Sequence, residues 1–196
     1  RIKAEVAVPV IAVGRLGNPA IAMATAVTAV CWAAPLAVVD DAGATVSLAS
    51  AAKRVVSLSP GATEIVFALG AGKRMAGTCS ACDHPKAAKA CAKVGDFSSV
   101  SPEALLALKP DLVIVTAGAQ RELAVRLRGL GVTAVVLAPA SVDGVLGNIA
   151  VLGRLLGRER AADALVARLH QRLKELTTQA KRRAGGKGPL VYFEIW

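Results

Sequence analysis

Lys53 to Gly72 reads KRVVSLSPGATEIVFALGAG, and Lys93 to Val115 reads KVGDFSSVSPEALLALKPDLVIV. Arg54 to Leu58 is a short apolar run of the length of a buried strand. Ser59-Pro60-Gly61 breaks it, and Ala62 to Leu69 has helical character closed by Gly70. Ser101-Pro102-Glu103 is a well-formed helix start. Ser can cap, Pro suits the first helical position, and Glu complements the helix dipole. That helix stops near Leu108, before Lys109-Pro110, and Asp111 to Thr116 (DLVIVT) is the clearest strand in the chain.

Outward from this centre the alternation continues. Met75 to Thr78 reads as a strand and is followed by a loop rich in Cys, Pro and Lys. Gln120 to Leu130 reads as a helix and Thr133 to Leu137 as the next strand. Strand and helix in turn predict an α/β lobe: a Rossmann-like parallel sheet with helices on both faces. Val38 to Leu48 reads as a hairpin around Asp40-Asp41-Ala42-Gly43. From Ser141 helical periodicity runs to about Ala184, divided near Gly157 into a shorter helix and one of about 25 residues. Leu165, Leu169, Leu173 and Leu176 share one stripe of the long helix, and Arg168, Arg172, Lys174 and Glu175 lie off it. Gly185 to Pro189 ends the helix, and Leu190 to Ile195 opens a strand before Trp196. The expected organisation is an export segment or upstream extension over 1–37, a lobe over 38–140, a helical segment with a long interdomain helix over 141–184, and the start of a further lobe over 185–196.

The chain has 196 residues, 54% hydrophobic but only 3% aromatic, so Ala, Val and Leu must fill the core. Its formal net charge is +10. The Arg and Lys residues are spread along helical faces and tails without interleaved aromatics, which argues against nucleic-acid binding. Residues 16 to 39 carry no charge, with Arg15 before them and Asp40 and Asp41 after, the order of a secretory signal. The run also reaches the roughly 20 residues of a membrane span. Its high Ala content and Pro35 favour a cleaved signal, with cleavage near Ala34 or Ala37. Cys31 follows Thr28-Ala29-Val30, a poor match to a lipoprotein acceptor, so anchoring is the less favoured reading.

The tests for chemistry are mostly negative. Gly70-Ala71-Gly72-Lys73-Arg74 fails as a phosphate loop because Phe67 stands where a Gly is needed and Arg74 where Ser or Thr is needed. It fails as a dinucleotide fingerprint because Met75 replaces the third Gly. Cys79-Ser80-Ala81-Cys82 is a single CxxC with Asp83, His84 and Cys91 nearby. One such pair does not make a zinc site, and in an exported chain one disulfide plus a leftover thiol is favoured, with the pairing open. His84 and His170 are the only histidines, and no nucleophile, base and carboxylate fall into a catalytic arrangement. The absence of these motifs lowers the expectation of catalysis without excluding it, and no metal or cofactor is expected.

The two opening stretches, with CDHP at Cys82 to Pro85, closely resemble the N-terminal lobe of cobalamin-type periplasmic substrate-binding proteins of ABC importers. In that class two α/β lobes are joined by one long rigid helix. The resemblance spans about Val38 to Trp196 and takes the VYFEIW strand as the opening of the second lobe. It implies a non-enzyme, a monomer that captures cobalamin or a related corrinoid between the lobes and delivers it to the importer's permease subunits. It places Phe97, in GDFSS, at the position of an aromatic that stacks on the corrinoid. Ala81 falls where a family member carries another aromatic, and Ala cannot stack. Ser59 and Pro60 end a sheet strand, where ligands of open α/β sheets bind, and Trp196 falls near the cleft. Glu103 matches a carboxylate that pairs with arginines of the permease. Siderophore and haem receptors share the scaffold and are the first alternative. An exported redox or metal protein built on Cys79 and Cys82 is the second.

Overall fold

The computed structural model describes residues 35–96 and 99–183. Two strands, β1 (Leu36–Val39) and β2 (Thr45–Leu48), form an antiparallel hairpin. A five-stranded sheet follows, built from β3 (Val55–Ser57), β4 (Met75–Thr78), β5 (Ala92–Lys93), β6 (Leu112–Val115) and β7 (Ala134–Val136). Its helices are α1 (Pro60–Ala68), α2 (Pro102–Ala107), α3 (Ala119–Gly129), α4 (Val142–Leu155) and α5 (Glu159–Arg183). The strand order is β5-β4-β3-β6-β7, and every pairing is parallel. The chain therefore winds outward from β3 in one direction, returns across the sheet through α2, and winds outward again from β6.

Two-residue periodicity divides the strands between two cores. Val55, Leu112, Ile114, Val135 and Leu137 face α1, α4, α5 and the hairpin. Val56, Leu58, Val113, Val115, Ala134 and Val136 face α2 and α3, where Leu105, Leu123, Ala124 and Leu127 meet them. β6 is buried at all four positions, as expected of a central parallel strand with both faces covered. The sheet residues at its ends are polar but satisfied. The Gln120 Oε1 accepts from the Thr116 N–H at 2.9 Å, and its Nε2 donates to the Leu58 carbonyl at 3.1 Å, joining the tips of β3 and β6.

Among the described residues the expected elements are present with ends shifted by one or two residues, and the expected strand over Leu190 to Ile195 lies outside them. The hairpin begins at Leu36, inside the span assigned to the export segment, because Leu36 and Ala37 pair with Leu48 and Ser47. Two residues of the Cys-rich loop, Ala92 and Lys93, form the short edge strand β5, which carries no apolar run to signal it. Leu146, Ile149, Leu152 and Leu155 of α4 are buried in the core of the lobe. The α5 stripe packs through Leu165, Leu169 and Leu173, but Leu176 is 44% exposed. Gly153 sets the approach of α4 to α5: a Cβ there would sit 2.5 Å from the Ala162 Cβ.

Asp40 and Asp41 fasten the hairpin to the far edge of the sheet. The Asp40 carboxylate accepts from the N–H groups of Ala42, Ala44 and Val136 and from Arg128, while Arg128 also donates to the Ala134 carbonyl. Asp41 accepts from the Ala138 N–H and the Asn148 amide. Burial would raise the Asp40 pKa, but the N–H groups of Ala44 and Val136, the Arg128 guanidinium and the Ala42 N–H outweigh it and hold the carboxyl below its ordinary value of 3.8. No helix among the described residues is long and apolar enough to cross a membrane.

Candidate ligand-binding site

The strand order reverses between β3 and β6, and the two chain excursions diverge there. The carboxyl edge at such a reversal is left open as a crevice. A cavity of about 690 Å³ lies at this edge. Its mouth is formed by Ser59 after β3, Thr116 after β6, Leu137 and Pro139 after β7, and His84 and Pro85 from the Cys-rich loop. It deepens along an apolar flank where Ile65 of α1, Val145 and Ile149 of α4, and Leu165 and Leu169 of α5 converge. Polar groups are few: Ser59, Glu64, His84, Thr116 and Asn148. Apolar walls with a few placed polar groups suit a large, partly apolar small molecule.

Four of the expected site residues, Ser59, Pro60, Ala81 and Glu103, are among the described residues. Ser59 lines the cavity. Its Oγ caps α1 by accepting from the Ala62 N–H at 3.5 Å, and its carbonyl accepts from the Ser57 and Thr63 hydroxyls, so the strand-to-helix turn is fixed from three sides. Pro60 is the first residue of α1, half-buried behind Ser59, and does not line the cavity. Ala81 is exposed on the turn between Cys79 and Cys82 and lies outside the lining, whereas its neighbours His84 and Pro85 are in it. Glu103 is exposed in the first turn of α2, where the Ser101 hydroxyl donates to its Oε2 at 3.1 Å. Phe97 and Trp196 lie outside the described residues, as do the VYFEIW strand and residues 1–34.

Sequence reasoning missed His84, Thr116 and Asn148 as cavity residues. His84 reads in sequence as a metal-ligand or catalytic candidate beside Cys82 and Asp83, and its place in CDHP does not show which way its ring points. Thr116 and Asn148 sit at a strand end and on a helix face, where sequence marks burial but not which cavity a side chain reaches. Among the described residues no three His, Cys, Asp or Glu side chains gather as a metal site. Cys79 and Cys82 are fully buried, and burial, with the hydrogen bond and charge of Cys82, pushes the Cys79 thiol up to about 11.

Comparison with known proteins agrees with this architecture. The chain is 32% identical over 165 residues to an uncharacterized ABC transporter substrate-binding lipoprotein, YvrC, of Bacillus subtilis, covering 82% of this chain and 52% of that protein. It is 33% identical over 144 residues to a vitamin B12-binding protein of Vibrio cholerae, covering 72% of this chain and 50% of the relative. The crystal structure of the periplasmic vitamin B12-binding protein BtuF of Vibrio cholerae superposes with a TM-score of 0.61 at 33% identity, over 66% of this chain and 51% of that one. A periplasmic heme-binding protein from Pseudomonas aeruginosa superposes with a TM-score of 0.63 at 29% identity, over 69% of this chain and 50% of that one. The chain thus spans about half the length of the relatives it matches. With residues 55–196 matching the periplasmic binding protein family, the chain belongs to that family.

Proposed function

We propose that this chain forms one wall of the ligand cleft of a periplasmic substrate-binding protein, which captures cobalamin or a related corrinoid and hands it to the permease subunits of an ABC importer. The observation that carries the reading is the apolar cavity of about 690 Å³ at the strand-order reversal, opened by Ser59, His84 and Thr116. A vitamin B12-binding protein among the relatives supports the corrinoid over other ligands. The work is capture and release, and no bond is made or broken in the ligand. Phe97 and Trp196 belong to this reading as aromatic contacts, and Ser59 and Pro60 as the strand-to-helix turn that presents Ser59 to the cavity. Glu103 is the docking carboxylate, exposed in the first turn of α2, where an Arg of the permease can pair with it in place of the Ser101 hydroxyl. The protein acts as a monomer outside the cytoplasmic membrane.

A haem or siderophore receptor is the second reading, and two observations favour it. A heme-binding protein superposes as well as the cobalamin one does, and Ala81 offers no ring for a corrinoid to stack on. The redox reading is weaker. A disulfide-exchange catalyst needs an accessible thiolate of lowered pKa, and the Cys79 thiol is buried and raised. Titration with cyanocobalamin, haemin and a ferric siderophore, followed by calorimetry and absorbance, tests the assignment. Tightest binding of the corrinoid is expected. Tighter binding of haemin or siderophore would move the assignment to that ligand.

A further inference from the structure

Cys79 follows β4 directly, and its Sγ lies 3.0 Å from the Cys82 Sγ, with both residues closed to solvent. The backbone of the turn is held in place on every side. The Cys79 N–H donates to the Ser57 carbonyl at 3.1 Å, and the Cys82 N–H donates to the Cys79 carbonyl at 3.1 Å. The Thr63 hydroxyl of α1 approaches the Cys82 Sγ at 3.3 Å. The Lys93 ammonium on β5 gathers the Thr78 Oγ1 at 2.9 Å and the carbonyls of Cys82, Cys79 and Ala88 at 2.9, 3.3 and 3.4 Å. Cys91, by contrast, turns its Sγ to the Ala87 carbonyl at 4.0 Å.

We propose that Cys79 and Cys82 are joined by a disulfide in the mature protein, and that this bond locks the turn carrying His84 and Pro85 into the cavity wall. The step is a thiol–disulfide exchange with a disulfide donor, either a protein or a small molecule. One S–S bond forms between Cys79 and Cys82, the donor's S–S bond breaks, and the two thiol protons end on the two thiols it releases. Two electrons pass from the cysteines to the donor. A periplasmic location supplies such donors, but the assignment of the pair rests on the lobe's own geometry and not on which ligand the cleft takes.

The bond has a structural rather than a catalytic character. An external thiolate must reach the buried sulfurs to break the bond, and a thiol as weakly acidic as Cys79 leaves slowly, so the bond, once made, persists. The closed ring is only four residues, Cys79 to Cys82, so its main effect is local. It fixes the turn from which the chain continues through Asp83 to His84 and Pro85 at the cavity mouth.

The test is peptide mapping of the whole chain refolded from its reduced, unfolded state in a buffer of reduced and oxidised glutathione, where the cysteines are accessible while the fold forms, then alkylated in denaturant without and with prior reduction. Trypsin releases Met75 to Lys86 and Ala90 to Lys93 as separate peptides. The first is expected two hydrogens lighter and unalkylated before reduction, and doubly alkylated after it, while the Cys91 peptide alkylates in both arms. Double alkylation of Met75 to Lys86 without reduction, a link to Cys91, or a glutathione adduct on either cysteine would each overturn the pairing. Hydrogen exchange tests the lock: amides of Ser80 to His84 are expected to exchange at least about tenfold faster after reduction. Equal rates would overturn the locking role.

Discussion

Replacing Asp40 by Asn keeps the side chain's shape and removes its charge at the point where the hairpin meets the sheet. The wild-type carboxylate accepts four hydrogen bonds, from Ala42, Ala44, Val136 and Arg128. They are not equal in the variant. Ala42 is exposed and Ala44 half-buried, so their N–H groups can turn to water. The Arg128 side chain is 31% exposed and keeps its bonds to the Ala134 carbonyl. The Val136 N–H is different: Val136 is 1% exposed, and its donor must share an amide that also carries N–H protons. A buried donor left poorly paired costs about 1–3 kcal/mol, and losing charge assistance on the other bonds adds to that. With Arg128 partly solvated, the total falls at the low end of the ~3–5 kcal/mol seen for breaking a buried pair, so about 3 kcal/mol is expected at neutral pH. The folded-state pKa lies below 3.8, so this stability is complete above the unfolded value and is withdrawn as pH falls through the folded one. Urea denaturation followed by far-ultraviolet circular dichroism, for both proteins from pH 7 to pH 3, measures the gap. It is expected to stay flat down to about pH 5 and then to close. A gap that is unchanged at pH 3, or below about 0.5 kcal/mol at pH 7, refutes the reasoning.

Glu103→Arg is expected to lower transporter-driven uptake by at least about tenfold, or ~1.4 kcal/mol of docking, while ligand affinity measured by calorimetry is unchanged; lost affinity with normal uptake would remove Glu103 from the docking face. Gly153→Ala places a methyl 2.5 Å from the Ala162 Cβ and is expected to cost about 1–3 kcal/mol by overpacking. Adding Ala162→Gly should recover part of that in a double-mutant cycle, and strict additivity would mean that the two residues do not meet. Gln120→Ala strands the Thr116 N–H and the Leu58 carbonyl at the strand tips. About 2 kcal/mol of stability should be lost in urea denaturation, with a weaker affinity for whichever ligand the cavity takes.

The sheet was legible because parallel strands buried on both faces leave continuous apolar runs, and DLVIVT is one. Capping residues did the same for the helices: Ser101-Pro102-Glu103 and Gly157 mark ends that the backbone observes. β5 was invisible because Ala92 and Lys93 are an exposed edge pair held by β4, not by burial of their own side chains. The site was legible only in part. Ser59 follows from the rule that a strand-ending turn faces the crevice, and the cavity includes it. Ala81 came from the resemblance alone, and the buried Cys79 and Cys82 turn it outward. His84, one turn further on, reaches the cavity instead, a reversal that depends on side-chain direction and leaves no mark in residue order.

The apolar flank of the cavity exposes a deeper asymmetry between sequence and site. The periodicity of Leu165, Leu169 and Leu173 states that one stripe of α5 is covered, but any partner would satisfy it. What fixes the partner is the close approach at Gly153 and Ala162, which brings the start of α5 against α4 and aims Leu165 and Leu169 at Ile65 of α1. The same stripe therefore does two jobs along its length. At Leu165 and Leu169 it packs on the core and lines the cavity, and at Leu173 it packs on the core alone. By Leu176 it is open to solvent. A helix of 25 residues, about 38 Å long at 1.5 Å per residue, thus carries a continuous apolar stripe beyond the sheet that anchors it. In the proposed function that stripe is what holds the cavity wall rigid. The position of Leu165 and Leu169 in the cavity wall then depends on how α5 is seated at Gly153, a residue that does not itself line the cavity.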